Sequence, residues 1–297
     1  MKSIGIVGAG IMATGMVQNF LRHDYKVMIW NRTKDHVNEL LQAGAGWADS
    51  PQIVADASGI IIECVTDDAA SREVWTDPQT GILAGAKPGK VCIASSSLSL
   101  DWTDELAGLC KAQNIDFLDM PLTGSRAGAE GGTLRLLVGG DSNVLDSIRQ
   151  DLGAISEKIY YFGPAGSGMR FKLILNMLIA IHVDAAAQAA GLAERAGLDV
   201  RAVHQALFDG NMGPASPATN MLFNNLDMSV GQINFATKWL AKDLCYAQAM
   251  AKQYGVGVNL LDDAATDFAK AADSGYADQD FTKVAQLYRS DGKKQME

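Results

Sequence analysis

Residues 3–20 read Ser3-Ile4-Gly5-Ile6-Val7-Gly8-Ala9-Gly10-Ile11-Met12-Ala13-Thr14-Gly15-Met16-Val17-Gln18-Asn19-Phe20, and the reading of this stretch decides that of the rest. Ser3 to Val7 has the length and apolar character of a buried strand. Two glycines interrupt it, and the apolar residues then return at helical spacing at Met16, Val17, Phe20 and Leu21. The pattern is G-x-G-x-x-[GA] with a strand before it and a helix after it, which is the setting in which it binds a dinucleotide. Gly8 permits the tight turn, Gly10 lets backbone approach a pyrophosphate, and Ala13 is small enough for helix and strand to pack closely. The helix start offers unpaired N–H groups to phosphate oxygens. Gly8, Ala9, Gly10, Ile11 and Met12 are therefore the expected contacts of a bound cofactor.

The second strand, Lys26 to Trp30, runs into Asn31-Arg32-Thr33-Lys34. A site for NAD usually carries an acidic residue here to hold the ribose 2′-hydroxyl. A carboxylate would repel a 2′-phosphate, whereas a guanidinium grips one in a fork. Asn31, Arg32 and Thr33 thus predict NADP(H) rather than NAD(H).

Further strands are expected at Gly59–Val65, Val91–Ala94, Asp116–Leu118 and Leu134–Val138, alternating with helices. Such alternation specifies a mostly parallel, doubly wound sheet of Rossmann type. Ligands of these sheets sit at the carboxyl ends of the strands, where Val65, Thr66 and Ser97 fall as candidates for the nicotinamide half. From Gly166 onward the strand signal fades. Gly168 to Arg195 is one long helical pattern, alanine-rich from Ala185 to Ala193, and helices are expected at Val200–Phe208, Phe235–Tyr254, Leu260–Ser274 and Phe281–Arg289. Gly210, Gly213, Pro214 and Pro217 mark a loop, and 209–225 is expected to shape a substrate pocket. The expectation is a dinucleotide-binding domain over 1–164, then an all-α domain over 165–297, joined by one long interdomain helix. That helix is apolar nearly all round, so a second subunit is expected to cover it, in a homodimer or homotetramer.

The chain has 297 residues, is 48% hydrophobic and 20% charged, and carries a net charge of −9. This is the composition of a globular protein with a real core, and its acidity argues against a nucleic-acid partner. The four cysteines and four histidines are scattered, which predicts reduced thiols and no metal site. The chain opens on a strand pattern without a basic segment and cleavage site, so no signal peptide is expected and a cytoplasmic location follows. The apolar run Leu173–Val183 is short and polar at its edges, so no membrane span is expected.

Two more stretches carry chemistry. Asp119 to Gly140 is rich in glycine, and Thr123-Gly124-Ser125 offers two hydroxyls beside consecutive backbone N–H groups, a set that suits a carboxylate. Gly163 to Asn176 ends a glycine turn and opens the long helix, with Lys172 and Asn176 at i and i+4 on one helix face. A lysine among apolar residues is costly to bury unless paired or deprotonated.

These motifs resemble those of the β-hydroxyacid dehydrogenase family over nearly the whole chain. GIVGAGIMATGMVQNF at 5–20 resembles the family's cofactor loop, and DMPLTGSRAGAEGGTL at 119–134 its substrate loop. GSGMRFKLILN at 166–176 resembles its catalytic segment, and FATKWLAKDL at 235–244 the segment that closes over the cofactor. The resemblance implies Lys172 as the catalytic lysine, Asn176 as its substrate-contacting partner, and Thr123, Gly124 and Ser125 as the carboxylate grip. It also implies Phe235, Lys242 and Asp243 on the nicotinamide side. Ala13 stands for the usual third glycine, Thr66 and Leu100 for prolines, Ser97 for a threonine, and Thr123 and Ser125 for a serine and a glycine. The residues after the second strand are similar to those of glyoxylate/succinic semialdehyde reductases. The implied activity is NADP(H)-dependent interconversion of a small carboxylate-bearing aldehyde or ketone and its hydroxy acid. Alternatives are an imine reductase on the same fold, whose relatives carry an acid or tyrosine at the lysine position, and a non-catalytic NADP-binding module that recognises a protein.

Overall fold

The computed structural model describes residues 3–209, 216–226 and 233–289. It divides into two compact units, Met1–Lys172 and Leu173–Glu297.

In the first unit the strands are β1 (Ile4–Val7), β2 (Val27–Trp30), β3 (Gly46–Trp47), β4 (Ile60–Glu63), β5 (Val91–Ala94), β6 (Asp116–Asp119), β7 (Leu122–Thr123), β8 (Leu134–Gly140) and β9 (Ser156–Gly163). The helices between them are α1 (Ile11–Arg22), α2 (Asn38–Gln42), α3 (Pro51–Ala57), α4 (Asp68–Thr76), α5 (Ile82–Gly85), α6 (Leu100–Ala112), α7 (Ser125–Gly131) and α8 (Ser142–Leu152). One sheet runs β3-β2-β1-β4-β5-β6-β8-β7, with β9 paired to β8. From β3 to β6 every pair is parallel, with Val7 beside both Trp30 and Glu63. The central strands are covered on both faces, which is why they are apolar at nearly every position: Ile4, Ile6, Val7, Ile60, Ile61, Ile62 and Ile93 are buried.

Polar side chains set where the helices begin. Ser50, Asp67, Ser99 and Asp141 each accept a hydrogen bond from a first-turn amide of α3, α4, α6 and α8, satisfying donors that a helix start leaves without partners.

The far edge of the sheet departs from the parallel pattern. β8 runs antiparallel to β6 and β7, and β9 runs parallel to β8. β9 is not expected from sequence. Both faces of Tyr160–Phe162 are exposed, so the strand lacks the one-sided apolar alternation by which strands are recognised.

The second unit is helical. α9 (Ser167–Arg195) starts within the first unit's residues and continues into the second. It is followed by α10 (Val200–Phe208), α11 (Pro217–Asn225), α12 (Thr237–Gln253) and α13 (Asn259–Ala271). Residues Phe281–Leu287, expected as α-helix, form a 3-10 helix. Pro217, expected in a loop, is the first residue of α11; its ring replaces an amide that has no helical partner, and Ser216 caps the turn. Gly210, Gly213 and Pro214 lie outside the described residues. Among the described residues α9 is, by length and composition, long and apolar enough to cross a membrane, because the helix extends well beyond the short run at its centre. It also carries buried polar side chains, Asn176 and Asp184, which have hydrogen-bond partners inside the second unit.

Candidate active site

The loops after β1, β2, β4 and β5 meet at the carboxyl edge of the sheet. Gly8 has φ +100, and a Cβ there would lie 2.2 Å from the carbonyl oxygen of Cys64 and 3.1 Å from Val65 Cγ1. A side chain at Gly8 would thus drive β1 and β4 apart. The Ala9 N–H donates to Asn31 Oδ1 at 3.1 Å, and Asn31 Nδ2 donates to the Thr33 carbonyl at 2.8 Å. Asn31 therefore braces the glycine loop. Arg32 and Thr33 follow it, exposed. Lys34, also exposed, lies over the Trp47 ring, 4.9 Å from its centroid. The Val65 N–H donates to Ser96 Oγ (2.7 Å), which in turn donates to the buried Glu63 carboxylate (2.8 Å).

The start of α1 suits a phosphate. Its N-cap, Gly10, supplies no side-chain hydrogen bond, and the first turn contains no acidic residue. A Cβ at Gly10 would meet nothing within 4 Å. Open space therefore faces the positive end of a helix. Ile11 is exposed and Met12 half-buried at its rim.

The substrate-loop candidates begin α7. Thr123 ends β7, Gly124 has φ +133 and Ser125 φ +57. The left-handed conformation at a residue bearing a side chain is strained, costing on the order of 1 kcal/mol. α7 is clamped to α1. A Cβ on Gly15 would lie 2.5 Å from the Ala129 backbone, and the buried Asn19 amide donates to the carbonyls of Gly15 (2.9 Å) and Ala129 (2.7 Å). The helix that follows the cofactor loop thus positions the one that follows the substrate loop.

Lys172 is half-buried on α9 in the stretch Gly168–Arg195 expected to be helical. Asn176 lies one turn further along. Inside the second unit the Asn176 side chain, 2% exposed, donates to Asp243 Oδ2 at 2.6 Å, and Asp243 is itself 1% exposed. Lys242 Nζ stands 3.2 Å from Asp243 Oδ1 and 5.1 Å from the Tyr246 ring centroid. Phe235, just before α12, packs edge-on to Phe281.

Within the first unit, then, Gly8, Ala9, Asn31 and Val65 come together, with Gly10, Ile11, Met12, Arg32 and Thr33 beside them in the chain. Thr66 is exposed and donates to Asp67, and Ser97 is half-buried next to Ser96. Within the second unit Asn176, Lys242 and Asp243 form one cluster. Sequence reasoning did not single out Ser96 or Glu63 as parts of the site. A glutamate inside an otherwise apolar strand is the signal that could have marked Glu63, because a buried charge requires partners. Among the described residues no group of three or more His, Cys, Asp or Glu side chains could hold a metal ion.

Residues 3–163 match the NAD-binding domain of 6-phosphogluconate dehydrogenase, and residues 166–288 match the NAD-binding domain of NADP-dependent 3-hydroxyisobutyrate dehydrogenase. The chain belongs to the β-hydroxyacid dehydrogenase family. This family member is 29% identical to the mitochondrial 3-hydroxyisobutyrate dehydrogenase of Rattus norvegicus, over 97% of its own length and 87% of the relative's. It superposes on the 3-hydroxyisobutyrate dehydrogenase of Salmonella typhimurium with a TM-score of 0.87 at 25% identity, covering 96% of this chain and 99% of the other. The Mycobacterium tuberculosis enzyme, described with L-serine, gives a TM-score of 0.83 at 26% identity, covering 98% and 100%. The imine reductase of Myxococcus stipitatus, at 17% identity and a TM-score of 0.65, shares the fold alone. The family member is an oxidoreductase of the 3-hydroxyisobutyrate dehydrogenase type with a nicotinamide-dinucleotide-binding domain.

Proposed function

We propose that this dehydrogenase uses NADP(H) to interconvert a small aldehyde or ketone bearing a carboxylate and the corresponding hydroxy acid. The observation that carries the reading is the lysine at position 172, one turn ahead of Asn176, whose amide is held by a buried aspartate. A general acid of this kind distinguishes carbonyl reduction from the imine-reducing branch and from a module without catalysis.

Residues 1–164 would hold the dinucleotide and 165–297 supply the helical domain. Gly8 to Met12 cradle the pyrophosphate at the start of α1, and Arg32 and Thr33 bind the 2′-phosphate, with Asn31 fixing the loop. Val65, Thr66 and Ser97 are the first unit's residues for the nicotinamide half, and the family resemblance assigns Phe235, Lys242 and Asp243 to the same part of the cofactor. The bound nicotinamide supplies or accepts the hydride. Thr123, Gly124 and Ser125 grip the substrate carboxylate through hydroxyl and backbone donors. In reduction Lys172 donates one proton to the carbonyl oxygen as the carbon gains hydride, and recovers a proton from solvent afterwards. In oxidation it removes the hydroxyl proton. Asn176 orients the reacting oxygen. A homo-oligomer is part of the same reading: Ile174, Leu178 and Leu192 on α9 remain exposed in the single chain, although Ala186, Ala187, Ala190 and Ala193 are already buried.

The test is NADPH oxidation with glyoxylate, succinic semialdehyde, methylmalonate semialdehyde and tartronate semialdehyde, plus one cyclic imine, with NADH in parallel. Turnover of an aldehyde acid that falls by about 10²–10⁴-fold in Lys172→Ala supports the reading. Turnover of the imine alone, or a folded Lys172→Ala variant at full kcat, overturns it.

A further inference from the structure

Asp119 ends β6 and is fully buried. Its Oδ1 accepts from the Gly166 N–H at 2.6 Å and its Oδ2 from the Met169 N–H at 2.7 Å. These amides lie at the entrance and in the first turn of α9, where helix donors lack intrahelical partners. The pocket admits nothing larger. A Cβ on Gly139 would lie 2.4 Å from Asp119 Oδ1, and one on Gly168 2.2 Å from the Leu137 carbonyl oxygen and 3.0 Å from Asp119 Oδ2. Strand β8 and the first turn of α9 therefore close around this carboxylate. Burial pushes its pKa up, while the Gly166, Met169 and own-backbone N–H groups oppose the rise.

Two amides three residues apart, held by the two oxygens of one rigid carboxylate, fix both the axial position and the rotation of the opening turns of α9, residues 167–172, within the first unit. Met169 is one turn before Lys172. Its Sδ accepts from the Leu98 N–H, the neighbouring Arg170 pairs with Asp104 at 3.2 Å, and Phe171 stacks on Phe162 with centroids 4.2 Å apart. The Arg170 and Phe171 contacts are partly exposed and tolerate sliding, and the buried Met169 sulfur is a weak acceptor on a flexible side chain, whereas the Asp119 contacts are buried, charged and directional.

We propose that Asp119 is the positioning residue that sets Lys172 for proton transfer. It acts by fixing the phase of the opening turns of α9, up to Lys172, and touches neither substrate nor cofactor. The inference rests on the assignment of Lys172 as the proton donor. A misplacement of about 1 Å is enough to lower a rate by about 10²-fold.

The test compares Asp119→Asn and Asp119→Ser with the parent enzyme. Asparagine keeps the shape but has one accepting oxygen, so one α9 amide loses its partner; serine is smaller and also retains a single acceptor. Both are assayed with NADPH and succinic semialdehyde or glyoxylate, beside Lys172→Ala. Independently of turnover, the rate of Lys172 acylation by acetic anhydride is measured by peptide mass spectrometry, with Lys87 as internal control. The expected result is a fall in kcat of at least about tenfold with an unchanged KM for NADPH. The limb of the pH–rate profile belonging to Lys172 is displaced, and Lys172 acylation alone changes in rate. Unchanged kcat, pH limb and labelling in a folded variant overturn the inference, and so does failure of both variants to fold, which would make Asp119 a folding residue only. If Lys172→Ala keeps full activity the reading of the reaction fails instead. The labelling experiment still shows whether Asp119 places the lysine.

Discussion

Asn176 donates a 2.6 Å hydrogen bond to Asp243, and both side chains are almost wholly removed from solvent. The opposite oxygen of Asp243 faces Lys242 at 3.2 Å. One buried carboxylate thus orients an amide on α9 and an ammonium on α12. Replacing Asp243 by alanine strands the Asn176 N–H, which costs on the order of 2 kcal/mol. The expected result for Asp243→Ala is a lower denaturation midpoint together with a larger loss in kcat than in cofactor affinity. Chemical denaturation and steady-state kinetics on the same preparation measure the two.

Arg32 is exposed after β2, and the neighbouring Asn31 is occupied with Ala9 and Thr33. A charge-assisted contact to a 2′-phosphate contributes about 1.5–3 kcal/mol. Arg32→Ala should raise KM for NADPH by about 10–100-fold and leave that for NADH within about twofold. Equal effects on the two cofactors would remove Arg32 from the 2′-phosphate site.

Gly15 lies against the Ala129 backbone, with room for a hydrogen and none for a methyl. Gly15→Ala must separate α1 from α7 and break the Asn19 bridge, an overpacking cost of about 1–3 kcal/mol. Because α7 begins at Ser125, the displacement reaches the carboxylate grip. The variant should melt lower and bind its acid substrate more weakly, while NADPH titration stays close to the parent. Normal substrate KM in Gly15→Ala would show that the α1–α7 contact does not position that loop.

Ser125 has φ +57. Ser125→Gly relieves the backbone and should stabilise the fold by about 1 kcal/mol. It also removes a hydroxyl from the proposed grip, so substrate KM should rise as the melting temperature rises. A drop in melting temperature would contradict the strain argument.

Asp184 on α9 is buried among carboxylates. Its pKa is raised to about 6, chiefly by desolvation and then by Asp267 and Asp263, against the hydrogen bonds from Gln188 and Tyr288. The Tyr288 hydroxyl lies 3.3 Å from Asp184 and also bonds Asp267. A phenol has one proton, so a second proton on Asp184 completes the bridge. An acid whose folded pKa exceeds its unfolded value of about 3.9 binds more protons when folded. Its contribution to stability is therefore full below about pH 4, declines as pH rises through about 6 and is absent above. Asp184→Asn imitates the protonated form and should raise stability at pH 7.5 by about 2 kcal/mol. It should also flatten this group's share of the pH dependence between about pH 4 and 6. Thermal melts of both proteins across that range check the sign.

Local pattern carried much of the architecture. The apolar runs of β1, β4 and β5 are legible because strands buried on both faces must be apolar at nearly every position. The match of α10 to Val200–Phe208 follows from its apolar spacing and the Asp199 cap. β9 escaped because its exposed faces impose no alternation. Pro217 misled because proline breaks a helix interior yet opens a helix readily, and the local residues alone do not say which applies.

The sequence by itself determined the dinucleotide fold, the family and the residue types that chemistry needs, because glycine spacing, apolar periodicity and a lysine four residues before an asparagine are properties of neighbours in the chain. Tertiary structure decided what those residues do to one another. Asn31 is turned into a brace, Asp119 is enclosed by Gly139 and Gly168, Ser125 is held in a strained turn, and Asp243 meets Asn176 from another helix. Each of these depends on groups far apart in sequence whose orientation is set only when the apolar faces are buried, and burial is what makes an unpaired amide or carboxylate too costly to leave alone.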